Sequence, residues 1–324
     1  MLEKTGSWSN YKELHNFINS IGWAIRDHYG HKDSDMSLKL IPYLDKININ
    51  DFLSSHKKQY DSKKAINNLW HAWYVECDLN FPSIEAMKYF DNFEDFKKKQ
   101  NDVLEKSALE HIQLIMWKTK IEYSAWKFIK AYYAIFFYIS SMLRIINQTE
   151  GGHTTKLNIF KYGFYTSKFN QTFFPYPFNI YLIKDDSSIK SEDSHFKYIL
   201  DGLKKIRDAS KGYYTRLDIN KFTIPDALFL WRNRINYTSV YSFIKCYGQV
   251  YKGFFYQDIA RIVFVWGLIS EIFLIKCFGY DLIKEEFDTF STLLDHSELK
   301  AHPIKNRFSH YESLLENKRG YFQR

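Results

Sequence analysis

Between residues 107 and 147 the apolar positions Ala125, Phe128, Tyr132, Ile135, Ile139, Met142 and Ile146 advance by three or four at every step. That period is helical and places all seven on one face, so the stretch folds as a long helix with one side committed to a core. We read such a stripe as packing rather than as a cofactor box. Only 13 Gly and 6 Pro in 324 residues leave few obligatory turns, which favours long helices over a many-stranded sandwich. The expected fold class is all-α.

The remaining composition bounds the partners. Lys and Arg outnumber Asp and Glu by 45 to 37, and the resulting +8 attracts a polyanion at moderate salt. Abundant Lys, Ile, Asn, Phe and Tyr also follow from AT-rich codons, so basicity alone does not select nucleic acid as the partner. Cys77, Cys246 and Cys277 are far apart and form no CxxC pair, which points to a reduced, cytoplasmic setting and against a cysteine metal site. The start of the chain is charged where a signal peptide needs an apolar run. The two most apolar stretches, around 131–143 and 262–270, fall short of the roughly 20 residues a membrane span needs, so no membrane partner is expected.

Three regions are expected along the chain. Residues 1–100 read as short helices broken by polar turns, and the charged segment "FEDFKKKQNDVLEK" marks a soft boundary. Residues 107–280 read as a helical bundle. Within it "FFPYPFNIYLIKDDSS" is a loop or short hairpin, "TIPDALF" is a capped helix start, and "QDIARIVFVWGLISEIFLIKCFGYD" is apolar enough for the central helix. Residues 281–324 read as a basic helical tail.

"SAWKFIKAYYAIFFYISSMLRI", "GGHTTKLNIF" and "ALFLWRNRINY", in that order, resemble the HEPN superfamily, helical-bundle domains paired with minimal nucleotidyltransferases in toxin and antiviral systems. The matching positions are Ala131, Tyr132, Tyr133, Ala134 and Phe136, then His153, then Arg232, Asn233 and Tyr237. The resemblance covers about residues 107 to 280. It implies a homodimer, RNA as partner, and in active members a ribonuclease site where two Arg-plus-His helices meet. No metal or other cofactor is needed there: a base with a pKa near 7 takes the 2′-OH proton, and a permanent cation offsets charge on the phosphate.

Here the resemblance gives Arg232 the phosphate and Asn233 its orientation, while Tyr237 occupies the His position. A phenol with a pKa near 10 is protonated at neutral pH and is a poor base. Cleavage therefore needs a base from elsewhere, His153 or His31; without one the site keeps only a binding surface. "RNRINY" is also similar to a branch written Arg-Asn-x-Ala-Asp-Tyr, with Asn236 in place of its acidic residue. The polar patch of Arg232, Asn233, Asn236 and Tyr237 is open to two readings, an RNA ligand or hydrogen bonds within the fold or across a dimer. The other function class is a non-catalytic interaction module that binds a partner protein of the same system.

Other constellations are weaker. Arg26 and His31 in "AIRDHYGH" have the spacing of the nuclease pair, although ten Arg and eleven His yield about one such hit by chance. A basic stretch offers Lys204, Lys205, Arg207, Lys211 and Arg216 to phosphates and Tyr213 to bases, joined by Arg234 on the later helix. His296, His302 and His310 fit no metal spacing and are placed on a solvated tail, and His71 among tryptophans reads as a packed core residue.

Overall fold

The computed structural model describes residues 11–55, 61–80, 126–146, 151–165, 173–183, 186–187, 193–211, 216–237, 254–295 and 302–315. Eleven helices dominate them. Four come first: α1 (Tyr11–Tyr29), α2 (Asp33–Lys46), α3 (Asn50–Ser55) and α4 (Ser62–Asn80). Helix α5 covers 126–143, ends in the 3-10 turn Arg144–Ile146, and is followed by α6 (His153–Phe164). A small antiparallel sheet has the order β2 (Asp186–Ser187), β1 (Tyr181–Ile183), β3 (Lys221–Thr223). Helix α7 (Ser194–Ser210) lies between β2 and β3, and α8 (Ile224–Tyr237), α9 (Phe254–Phe278), α10 (Tyr280–Asp295) and α11 (His302–Leu315) follow. The fold is all-α, with the expected hairpin extended to a third strand.

Helix α9 is the axis, packed by α1, α2, α4 and α10, and it is buried on almost every side over 25 residues. Its polar exceptions, Asp258, Ser270 and Glu271, are fully buried and each is answered by another helix: Arg26, Ser141 and Arg307 respectively. Helix α8 begins with a capping box, in which the Thr223 amide and hydroxyl each donate to Asp226 Oδ2 at 2.8 Å. That carboxylate also faces the buried Lys161 of α6 at 3.3 Å, which ties α6 to the start of α8.

One hydrophobic core runs from Leu14 to Leu315, so the helices before residue 100 share it with the later bundle and no separate core divides them among the described residues. The C-terminal region differs from expectation as well. Rather than a solvated tail, α11 packs on α2 and α4, with Arg307 and Tyr311 at 0% exposure and Phe308 at 2%. Its five buried positions, Ile304, Arg307, Phe308, Tyr311 and Leu315, repeat at helical spacing, but the charge on Arg307 hides one of them from a reading by hydropathy.

The membrane reading also changes. Trp126–Ile146 is one helical run of 21 residues, and an 18-residue window of it has mean hydropathy 1.3, long and apolar enough to cross a bilayer, because its charges, Lys127, Lys130 and Arg144, stand near the two ends. Inside this fold 78% of that window is buried against the other helices.

Candidate functional site

Two consecutive helices, α5 and α6, and the later α8 meet around Arg232. Helix α8 carries Arg232 and Asn233, both 7% exposed, and Arg232 Nη1 donates to Asn233 Oδ1 at 2.7 Å. Its Nη2 donates to the hydroxyl of Tyr133 on α5, and the guanidinium lies 4.8 Å from that ring's centre. The face-on approach suits a planar cation over an aromatic quadrupole. Helix α6 supplies His153, whose Nδ1 lies 2.7 Å from the Tyr132 hydroxyl and whose ring is 4.0 Å from Phe136.

The local sequence explains the placement. Tyr132 and Phe136 are one turn apart and partly cover the His153 ring; Tyr133, one residue along, turns toward Arg232. Gly152 caps α6 without a side chain, so His153 opens the helix at the edge of the bundle and stays partly exposed. Burial, followed by the positive charge of Arg232 and Lys156, pushes the His153 imidazole down to about 4. It is neutral at physiological pH. Burial likewise raises the Tyr132 phenol, which stays protonated.

This arrangement has a definite chemistry. When Nδ1–H donates to the Tyr132 oxygen, the Nε2 lone pair is an acceptor beside a permanent cation. A bound phosphate adds negative charge and moves the imidazole back up toward the range where a general base works.

The remaining expected residues lie elsewhere. Arg26 is 4% exposed, and its Nη1 meets Asp258 Oδ1 at 2.5 Å while the guanidinium covers Trp23 at 4.0 Å. His31 is exposed in the turn after α1. On α7, Arg207 is buried and bonded to Asp208, and Lys205 faces Glu13 at 3.9 Å; Lys211, just past its end, pairs with Asp208 at 2.9 Å. Lys204 is half-buried and Arg216 is exposed beyond the helix. Arg234 lies 5.5 Å over Trp231. Tyr213, and the side chains of Asn236 and Tyr237, lie outside the described residues, as does His296. His71 is exposed rather than packed in the core, stacked 5.3 Å from Phe137.

Sequence reasoning missed two members of the cluster. Tyr133 was within the quoted motif but its partner is set by how α5 crosses α8. Lys156, one turn after His153, had only that spacing as a signal.

Comparison with protein-family models, curated proteins and solved structures found no significant match to the chain.

The neutral histidines give a pH prediction. His15, 1% exposed, is pushed down to about 4 by burial, as His153 is. Both bind fewer protons folded than unfolded between pH 6.5 and 4, so their contribution to stability is present above 6.5 and lost as pH falls through that window. His153→Asn should flatten the decline of the urea midpoint from pH 6.5 to 4 relative to the parent. An unchanged slope would show that His153 is not held neutral.

Proposed function

We propose that this chain is a HEPN-like, RNA-directed protein of a bacterial defence or toxin system, acting as a homodimer in the cytoplasm and cleaving RNA without metal. The observation that carries this reading is the meeting of Arg232, Asn233 and His153 from α8 and α6 on the aromatic shoulder of α5. Arg232 contacts phosphate, Asn233 fixes the guanidinium, and neutral His153 accepts the proton that Tyr237 is poorly suited to take. The cytoplasmic setting is supported by Cys77 and Cys277, which are free and buried.

The test is incubation with total tRNA and a mixed-sequence single strand in EDTA. Arg232→Ala and His153→Asn are expected to lower cleavage by about 100-fold or more, and His31→Ala to leave it unchanged. Cleavage that survives Arg232→Ala would overturn the assignment.

A second reading is favoured by one feature. Arg232 is buried and already hydrogen-bonded to Tyr133 and Asn233, as in a structural pair. On that reading the chain is a non-catalytic module that binds a partner protein. It is then harmless on expression, inert toward RNA, and co-purifies with its partner.

A further inference from the structure

The core stripe of α5 has a counterpart on the opposite side. Trp126, Lys130, Tyr133 and Phe137 lie at helical spacing along the outer face, three aromatic rings and a cation, and Arg144 follows in the 3-10 turn at its end. Trp126 is 56% exposed, and the others are partly exposed. Helix α4 runs antiparallel beside them, since Asp78 pairs with Lys130 at 2.7 Å and His71 stacks on Phe137. On α4, His71, Tyr74 and Asp78 share a face turned away from its core residues Leu69, Ala72 and Trp73. Tyr74 is 51% exposed.

We propose that this seam of α4 and α5 is a stacking surface for the unpaired bases of a single RNA strand whose phosphate is held at Arg232. The inference rests on the RNA-directed reading above and adds where the strand runs. The rings are continuous with that site: His71 on Phe137 at 5.3 Å, Phe137 beside Tyr133 at 6.3 Å, and Tyr133 beneath Arg232 at 4.8 Å. Lys156, 5.3 Å from the Phe136 ring, adds a cation on the far side of His153 and forms no ion pair among the described residues.

Charge favours a polyanion over a second protein surface. Arg144, Lys156 and Arg232 border the rings, whereas among the described residues the acidic groups near them each have a cation already: Asp78 has Lys130, Asp61 has Lys64 and the buried Asp226 has Lys161. The large exposed hydrophobic residues of α4 and α5 are Tyr74 and Trp126, both aromatic and neither aliphatic. Flat rings beside cations bind bases of any sequence, because every base offers a π face. A duplex keeps its bases stacked internally and gains nothing from them.

The test uses the full chain with a fluorescein-labelled 12-nucleotide single strand and a duplex of equal length, in EDTA, by anisotropy. His71 and Tyr74 have no place in the core or in the Arg232 cluster, so His71→Ala/Tyr74→Ala should fold as the parent does by circular dichroism. The double variant is expected to bind the single strand at least about tenfold more weakly with duplex binding unchanged. Arg232→Ala should weaken both. Single-strand binding by the parent that is equal in the double variant overturns the stacking surface and leaves the RNA reading standing. No RNA binding by the parent overturns both. A dimer that dissociates in the double variant, with RNA binding unaltered, assigns the seam to a second copy of the chain.

Discussion

Replacing Arg307 with alanine is expected to cost about 3–5 kcal/mol of folding stability and to lower the melting temperature by on the order of 10 °C. Arg307 is fully buried on α11, where it donates to both oxygens of Glu76 at 2.7 and 2.8 Å and to both of Glu271 at 2.8 and 2.7 Å. Trp73 donates to Glu271 Oε1 at 2.7 Å, Tyr311 to Oε2 at 2.6 Å, and Tyr138 to Glu76. Four helices thus converge on one guanidinium, whose two carboxylates hold its proton far more tightly than usual against the cost of burial. Without it two carboxylates remain in the core with only neutral donors, and a buried charge without a counter-charge is much more expensive than the pair was worth.

Lysine should not restore the loss, because a single ammonium cannot present the fork that bridges both acids. Gly267→Ala should reproduce much of it, since a Cβ there would lie 2.7 Å from Arg307 Cζ. Combining Arg307→Met with Glu76→Gln and Glu271→Gln should recover part of the stability by removing the charges together. Urea unfolding of these four variants is the measurement. A midpoint for Arg307→Ala equal to that of the parent would refute the role given to this cluster.

The second large effect belongs to Arg26, and it separates structure from catalysis. Arg26→Ala should destabilise the chain by about 3 kcal/mol at pH 8, because Asp258 is fully buried and loses its 2.5 Å partner, keeping Arg261 at 3.0 Å. Burial already raises the Asp258 carboxyl to about 6, against the pull of Arg26 and Arg261. A carboxyl whose folded pKa is raised binds more protons folded than unfolded. Its contribution therefore falls as pH rises from about 4 to 6 and is flat above that. Removing Arg26 moves the group higher still, so the deficit of the variant should be small at pH 5 and grow toward pH 8. Denaturant midpoints across that range test the sign. A deficit independent of pH, or a loss of RNA cleavage with full stability, would return Arg26 to the list of catalytic candidates.

Arg26 also shows where sequence reading stops. Its spacing to His31 fitted a nuclease pair, but spacing along α1 says nothing of Asp258, 232 residues away, which the crossing of α1 and α9 brings to it. Gly22 permits that crossing, since a Cβ there would overlap the Asp258 carboxyl at 2.2 Å. Arg307 was hidden for the same reason. In "HPIKNRFSHYESLL" a charged residue within a basic segment suggests solvent, and only two acids from α4 and α9 make its burial possible.

The sequence by itself determined the helical class, the central place of 254–278, the capped start of α8 and the order of the three segments that carry Tyr132, His153 and Arg232. These follow from period, punctuation and capping, which act over a few residues and are written in neighbours. Only the tertiary structure decided that Arg232 rests on Tyr133, that His153 is kept neutral, that Arg26 is spent on Asp258, and that α11 is locked into the core. Each depends on which helices cross and how water is excluded where they do. That is set by packing of the whole chain, and a charge has no fixed role until its desolvation and its partner are both known.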